Sequence, residues 1–144
     1  MTTSQELIRQ IDLHQALLDE AGAVERRSRD KLQELDGYRA AHDWGTNRIE
    51  QDLSYERRRL ASCPVDRSRV RTAGGYIQMM TDLLASGEVH VSRRYDQNQA
   101  IQRAVGGQDE ALADSRREAV HQQQILEDLR SRLVWARRLE ANSV

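Results

Sequence analysis

One proline in 144 residues divides this chain, and nothing else in it stops a helix so firmly. Pro64 lies in Ser62-Cys63-Pro64-Val65-Asp66-Arg67-Ser68. Its ring removes a backbone donor and turns the preceding residue away from helical geometry, so a helix ends near Ser62. Asp66 or Ser68 then caps a second helix by accepting its free backbone N–H groups. The sequence predicts helix one over about 4–61, a turn over 62–68 and helix two over about 69–140, all in one domain, 1–144.

Both helices carry a 3.5-residue apolar repeat. Alternate steps of three and four from Ser4 to Leu60 visit 17 positions, of which eight are Leu or Ile. That seam is interrupted chiefly at 25–28 and 39–46. The same stepping from Ile77 to Glu140 visits 19 positions, ten of them large aliphatics, in one register. A repeat kept this long marks a coiled-coil seam. The phase is kept across Gly106-Gly107, which reads as a soft spot in helix two, although a break there would give three helices.

The composition suits such a seam and little else. There is no Phe, 31% of residues are charged, and the apolar content is mostly Leu and Ala. This mixture fills a narrow stripe between long helices, not a thick core. The expected fold is therefore all-α, a long antiparallel two-helix coiled-coil hairpin. With the turn centred near 64–65, facing residues have numbers that total about 129. Residue 5 then faces residue 124, and Ile125–Val144 becomes an overhanging C-terminal helix. Its apolar residues, Leu126, Leu129, Leu133 and Trp135 among them, are left to bind something else.

Formal net charge is -1, so no overall field draws the chain to nucleic acid or anionic lipid. Arg supplies nearly all the positive charge, as a GC-rich coding sequence would give, and its clusters are interspersed with acids as on a solvated face. No nucleic-acid partner is expected. Cys63 is the only Cys, and no apolar run approaches the ~20 residues of a membrane span. No basic region followed by an apolar run opens the chain. The expectation is a cytoplasmic protein with no direct membrane insertion.

Catalytic and metal chemistry lack a foothold. His14, His42, His90 and His121 have no ligand at metal-motif spacing, and Cys63 stands alone. Neither Gly74-Gly75 nor Gly106-Gly107 matches a phosphate-cradling loop. A thin helix pair has no pocket from which water is excluded. The sequence predicts no catalytic, cofactor-binding or metal residues, no cofactor and no enzyme.

A second stripe accompanies the seams. Tyr76, Met79, Leu83 and His90 run beside the seam of helix two, and Leu35, Tyr38 and His42 beside that of helix one. Under the total of 129, Tyr38 pairs with His90 and His42 lies near Leu83. The two stripes then form one apolar and aromatic patch, either a thickened core or a partner surface.

Three stretches resemble the flagellar export protein FliJ and its injectisome counterparts of the YscO type. They are Leu32-Gln33-Glu34-Leu35-Asp36-Gly37-Tyr38-Arg39; Val65–Val70 with Tyr76-Ile77-Gln78-Met79-Met80-Thr81-Asp82-Leu83; and Leu126-Glu127-Asp128-Leu129-Arg130-Ser131-Arg132. The likeness spans roughly residues 17–138. Met79 stands where Phe is common in that family, and His42 where a second aromatic is common. The resemblance implies the central stalk of a type III secretion ATPase, cytoplasmic and peripheral to the inner-membrane secretion apparatus. Its partners would be the hexameric ATPase, the cytoplasmic domain of an export-gate membrane protein, and export chaperones. It carries the export-gate contact onto Leu35, Tyr38, Met79, Leu83 and His90. The overhang, with Leu126, Leu129, Leu133 and Trp135, would meet the ATPase. The alternative is a self-assembling structural coiled coil or a small secreted helical hairpin. Trp44-Gly45 resembles the Trp-Xaa-Gly turn of the latter, with the spacing wrong by one residue.

Overall fold

The computed structural model describes residues 3–62 and 71–143. Two helices account for nearly all of them, α1 over Ser4–Ala61 and α2 over Arg71–Asn142, packed against each other as an all-α hairpin. Pro64, Cys63 and the predicted turn, apart from Ser62, lie outside the described residues.

The start of α1 is set by its own side chains. Thr3 Oγ1 accepts the Glu6 N–H at 3.3 Å, and Glu6 Oε2 accepts the Thr3 N–H at 3.1 Å. This reciprocal capping box satisfies two donors that the first turn would leave free. The α2 helix runs through Gly106-Gly107 without interruption, and neither glycine has a positive φ.

The chain clusters into two compact units, residues 1–33 with 105–144, and residues 34–104. In the first unit the buried positions are Leu7, Ala21 and Ser28 on α1 and Ser115, Gln122, Leu126 and Leu129 on α2. All seven lie on the predicted seams. Ser4 donates its N–H to Glu140 Oε1 at 3.1 Å, and Arg116 Nε donates to Glu25 Oε1 at 3.2 Å. These paired numbers total 144 and 141. In the second unit Leu84 and Thr46 are buried, and Leu53 packs at Gly87, a pair that totals 140.

The inter-helix register is therefore near 140, not 129. The predicted value took the helices to pair outward from a tight turn at Pro64. Instead, α2 spans Arg71–Asn142, and a Cβ added at Gly74 or Gly75 would meet nothing within 4 Å among the described residues. Gly74, Gly75 and Tyr76 are exposed, and Ile77 and Met80 are half-buried. That shift brings the end of α2 level with the start of α1, so among the described residues no C-terminal helix overhangs. Leu126, at 2% exposure, is the most completely buried large side chain among the described residues.

Two outcomes follow for stability. Leu126→Ala should lower unfolding free energy by about 2–5 kcal/mol, because it opens a cavity in a seam only one side chain deep. Leu139→Ala, at an exposed position, should stay within about 0.5 kcal/mol. Gly106→Ala and Gly107→Ala should each stabilise by up to about 1 kcal/mol, since a Cβ at either site meets nothing within 4 Å. Urea unfolding followed by circular dichroism measures all four.

Candidate partner-contact surfaces

The second unit is organised round a polar layer where the first seam is poor in Leu. Arg94 occupies a seam position of α2 and reaches across to α1. Its Nε donates to Thr46 Oγ1 at 2.9 Å and its Nη2 to the His42 carbonyl at 3.1 Å. Thr46 Oγ1 donates to the same carbonyl at 2.9 Å. Hydrogen bonds from a charged group contribute more than neutral ones, about 1.5–3 kcal/mol. Gly45 makes room for this: a Cβ there would lie 2.6 Å from Arg94 Nη2. Trp44-Gly45 thus sits inside continuous α1 and forms no turn, so its likeness to the secreted-hairpin motif does not extend to conformation.

The histidines divide by position. His14 and His42 are half-buried in the seam, where His14 Nδ1 donates to Gln122 Oε1 at 2.6 Å and His42 Nε2 to Gln97 Oε1 at 3.3 Å. His90 and His121 are exposed. Among the described residues no group of three or more His, Cys, Asp or Glu is placed to hold a metal ion, and no helix is long and apolar enough to cross a membrane.

The register separates the predicted patch. A total near 140 sets Tyr38 opposite residue 102, so His90 lies about twelve residues away, ~18 Å along the helices at 1.5 Å per residue. Leu35 and Met79 are ~39 Å apart by the same measure. The five residues assigned to the export gate therefore do not form one surface. Leu35 is half-buried in the seam, and Tyr38 projects alone into solvent. What remains together is on α2. Tyr76, Met79 and Leu83 follow one another at steps of three and four, with exposures of 50%, 53% and 58%. Exposed His90 continues the same side of the helix one heptad after Leu83.

The second predicted group divides similarly. Leu126 and Leu129 are core residues facing α1, unavailable to a partner. Leu133 is half-buried. Trp135 is 64% exposed and lies under Arg138, whose guanidinium carbon is 5.7 Å from the ring centroid. A cation over an indole face contributes about 0.5–1 kcal/mol at an exposed site.

A matching pair on α1 was not singled out by the apolar repeat. Trp44 is exposed, with Arg48 one turn on and 5.3 Å from its ring centroid, and Tyr55 is exposed further along that outward face. A four-residue Trp–Arg spacing away from the seam was the available signal.

Compared with known proteins, the chain matches no family model, no curated protein and no solved structure.

Tyr95 provides a titratable marker of helix pairing in the second unit. Its hydroxyl donates to the Glu50 carboxylate on the facing helix. That hydrogen bond, reinforced by the carboxylate charge, raises the phenol above its ordinary value. The raised folded-state value favours the protonated form in the fold. Its stabilising contribution is therefore present below the unfolded tyrosine value of ~10 and lost as pH rises through the folded one. In a chain with Tyr38, Tyr55 and Tyr76 replaced by Phe, ultraviolet titration should find Tyr95 ionising above the ordinary value. Glu50→Gln should bring it down.

Proposed function

We propose that this chain is a non-catalytic binding protein that meets a partner through Tyr76, Met79 and Leu83, and that it serves as the stalk of a type III secretion ATPase. One observation carries the binding role. Three large apolar side chains stand in water on one stripe of α2, although the seam of that helix is already packed against α1. Such a stripe on a helix is the form in which a helical face is recognised by a complementary groove.

The finer reading rests on the resemblance of Tyr76–Leu83 to FliJ and YscO-type proteins. In that reading the export-gate contact contracts to Met79 and Leu83, joined by Tyr76. The ATPase contact contracts to Trp135 with the half-buried Leu133. Export chaperones are further partners, and the protein works in the cytoplasm beside the inner-membrane apparatus.

The test is co-purification of the full chain with the hexameric secretion ATPase and the cytoplasmic export-gate domain of its own organism. Binding to the gate domain should fall about tenfold or more in Met79→Asp and Leu83→Asp. Both positions are exposed, so helix content should be unchanged. Stimulation of ATP hydrolysis should fall in Trp135→Ala. A chain that binds neither protein and leaves hydrolysis unaltered is not a secretion stalk.

A further inference from the structure

We propose that the outward face of α2 near its C-terminal end rests on the surface of an anionic lipid bilayer, without crossing it. The face belongs to the first unit and is independent of Tyr76, Met79 and Leu83. Its centre is Trp135, 64% exposed, with Val134 and Leu139 exposed beside it. All three stand clear of the seam, which here runs through Leu129, Leu133 and Ala136.

Charge selects the occupant. Over the whole chain acids and bases nearly balance, at 23 and 22. Residues 129–139 depart from that balance, with Arg130, Arg132, Arg137 and Arg138 and no acid. All four are exposed. Arg132 is paired with Asp128 at 3.0 Å, and Arg130 donates to Gln15 Oε1 at 3.3 Å. Arg137 and Arg138 make no ion pair among the described residues, and Arg138 lies over the Trp135 ring. Glu127 and Asp128 close the face on its N-terminal side. Glu140, the next acid, turns to the other helix, where its Oε1 accepts the Ser4 N–H.

Shape separates a bilayer from a protein groove. A groove takes one narrow stripe at steps of three and four, such as Tyr76, Met79 and Leu83 supply. At ~100° per residue, Val134, Trp135 and Leu139 instead fan over about 140° of the helix, with Arg138 among them. A bilayer interface accepts that mixture. An indole sits at headgroup level and aliphatic side chains enter beside it. Arg stems follow the apolar surface while the guanidinium groups stay with the phosphates. Anionic headgroups supply the opposite charge that Arg137 and Arg138 lack within the fold.

The full chain and vesicles alone test this. Trp44→Phe leaves Trp135 as the only indole. On mixed phosphatidylcholine–phosphatidylserine vesicles, Trp135 emission should move to shorter wavelength and become shielded from acrylamide. Affinity should fall as salt rises. Pure phosphatidylcholine should bind about tenfold or more weakly, and so should Arg137→Glu with Arg138→Glu on the mixed vesicles. Val134→Gln with Leu139→Gln should also weaken binding although the charge is unchanged, which adsorption by charge alone would not do. Circular dichroism checks that each variant remains helical. Mixed vesicles that leave Trp135 emission unchanged overturn the proposal. So does equal binding to pure phosphatidylcholine, or binding that either double variant retains in full while helical. A chain that ignores vesicles yet is held by the secretion ATPase through Trp135, in a salt-sensitive way, assigns the face to an acidic protein and also overturns it. In the stalk reading the ATPase takes Trp135, so lipid and ATPase exclude each other there. No secretion protein is present with the vesicles, so the two proposals fail separately.

Discussion

Among the described residues, the interior is one row of side chains from each of two helices. Among the described residues five hydrophobic side chains are buried: Leu7, Ala21, Leu84, Leu126 and Leu129. Helix pairing must draw its stability from that seam, since isolated helices gain little from propensity alone. The remainder of the seam is polar or small. Ser28, Thr46, Ser115 and Gln122 are buried, and Arg94 crosses between helices to reach the His42 carbonyl. Thr46, Ser115 and Gln122 each make a side-chain hydrogen bond, whereas Ser4 Oγ, His42 Nδ1 and Asn98 Oδ1 are buried in the seam without one among the described residues. The seam therefore trades hydrophobic depth for directional bonding, and directional bonding fixes which residues face each other.

A shallow interior leaves much apolar surface over. In the second unit Tyr76, Met79 and Leu83 line one stripe of α2, and Trp44 and Tyr55 stand on the outward face of α1. In the first, Leu13, Val134, Trp135 and Leu139 are exposed, and the groove beside Leu17 and Val24 is unfilled. A two-helix protein has no third layer to cover these positions. Contacts with other chains or with a lipid surface are the ways in which such surface leaves water.

The repeat within each helix was legible because it is local. Every seam position from Ser4 to Leu60 is at least half-buried except Arg39, and every one from Ile77 to Glu140 except Glu140. Helix starts were legible for the same reason, as Thr3 and Glu6 illustrate. The register between helices was not, because no local repeat says which position of one helix faces which position of the other. Counting outward from Pro64 put facing totals near 129, whereas the observed pairs total 136 to 145. From this came an overhang that the described residues do not show and a patch whose members lie far apart. Size matching across the seam held the missing signal. Gly87 receives Leu53, and Gly45 makes way for Arg94. Setting Gly87 against Leu53 and Gly45 against Arg94 gives totals of 140 and 139.

Those two glycines bear on mechanics. Sliding the helices of the second unit past each other by one heptad in one direction would withdraw Gly87 from Leu53 and bring Arg94 opposite Arg39. Bulk would meet bulk and charge would meet like charge, so a slip in that direction is opposed. Some coiled coils transmit a signal by such shear. In this pair the Leu53 side chain seated at Gly87 and the Arg94 bond to Thr46 oppose that shear in one direction, as a ratchet does.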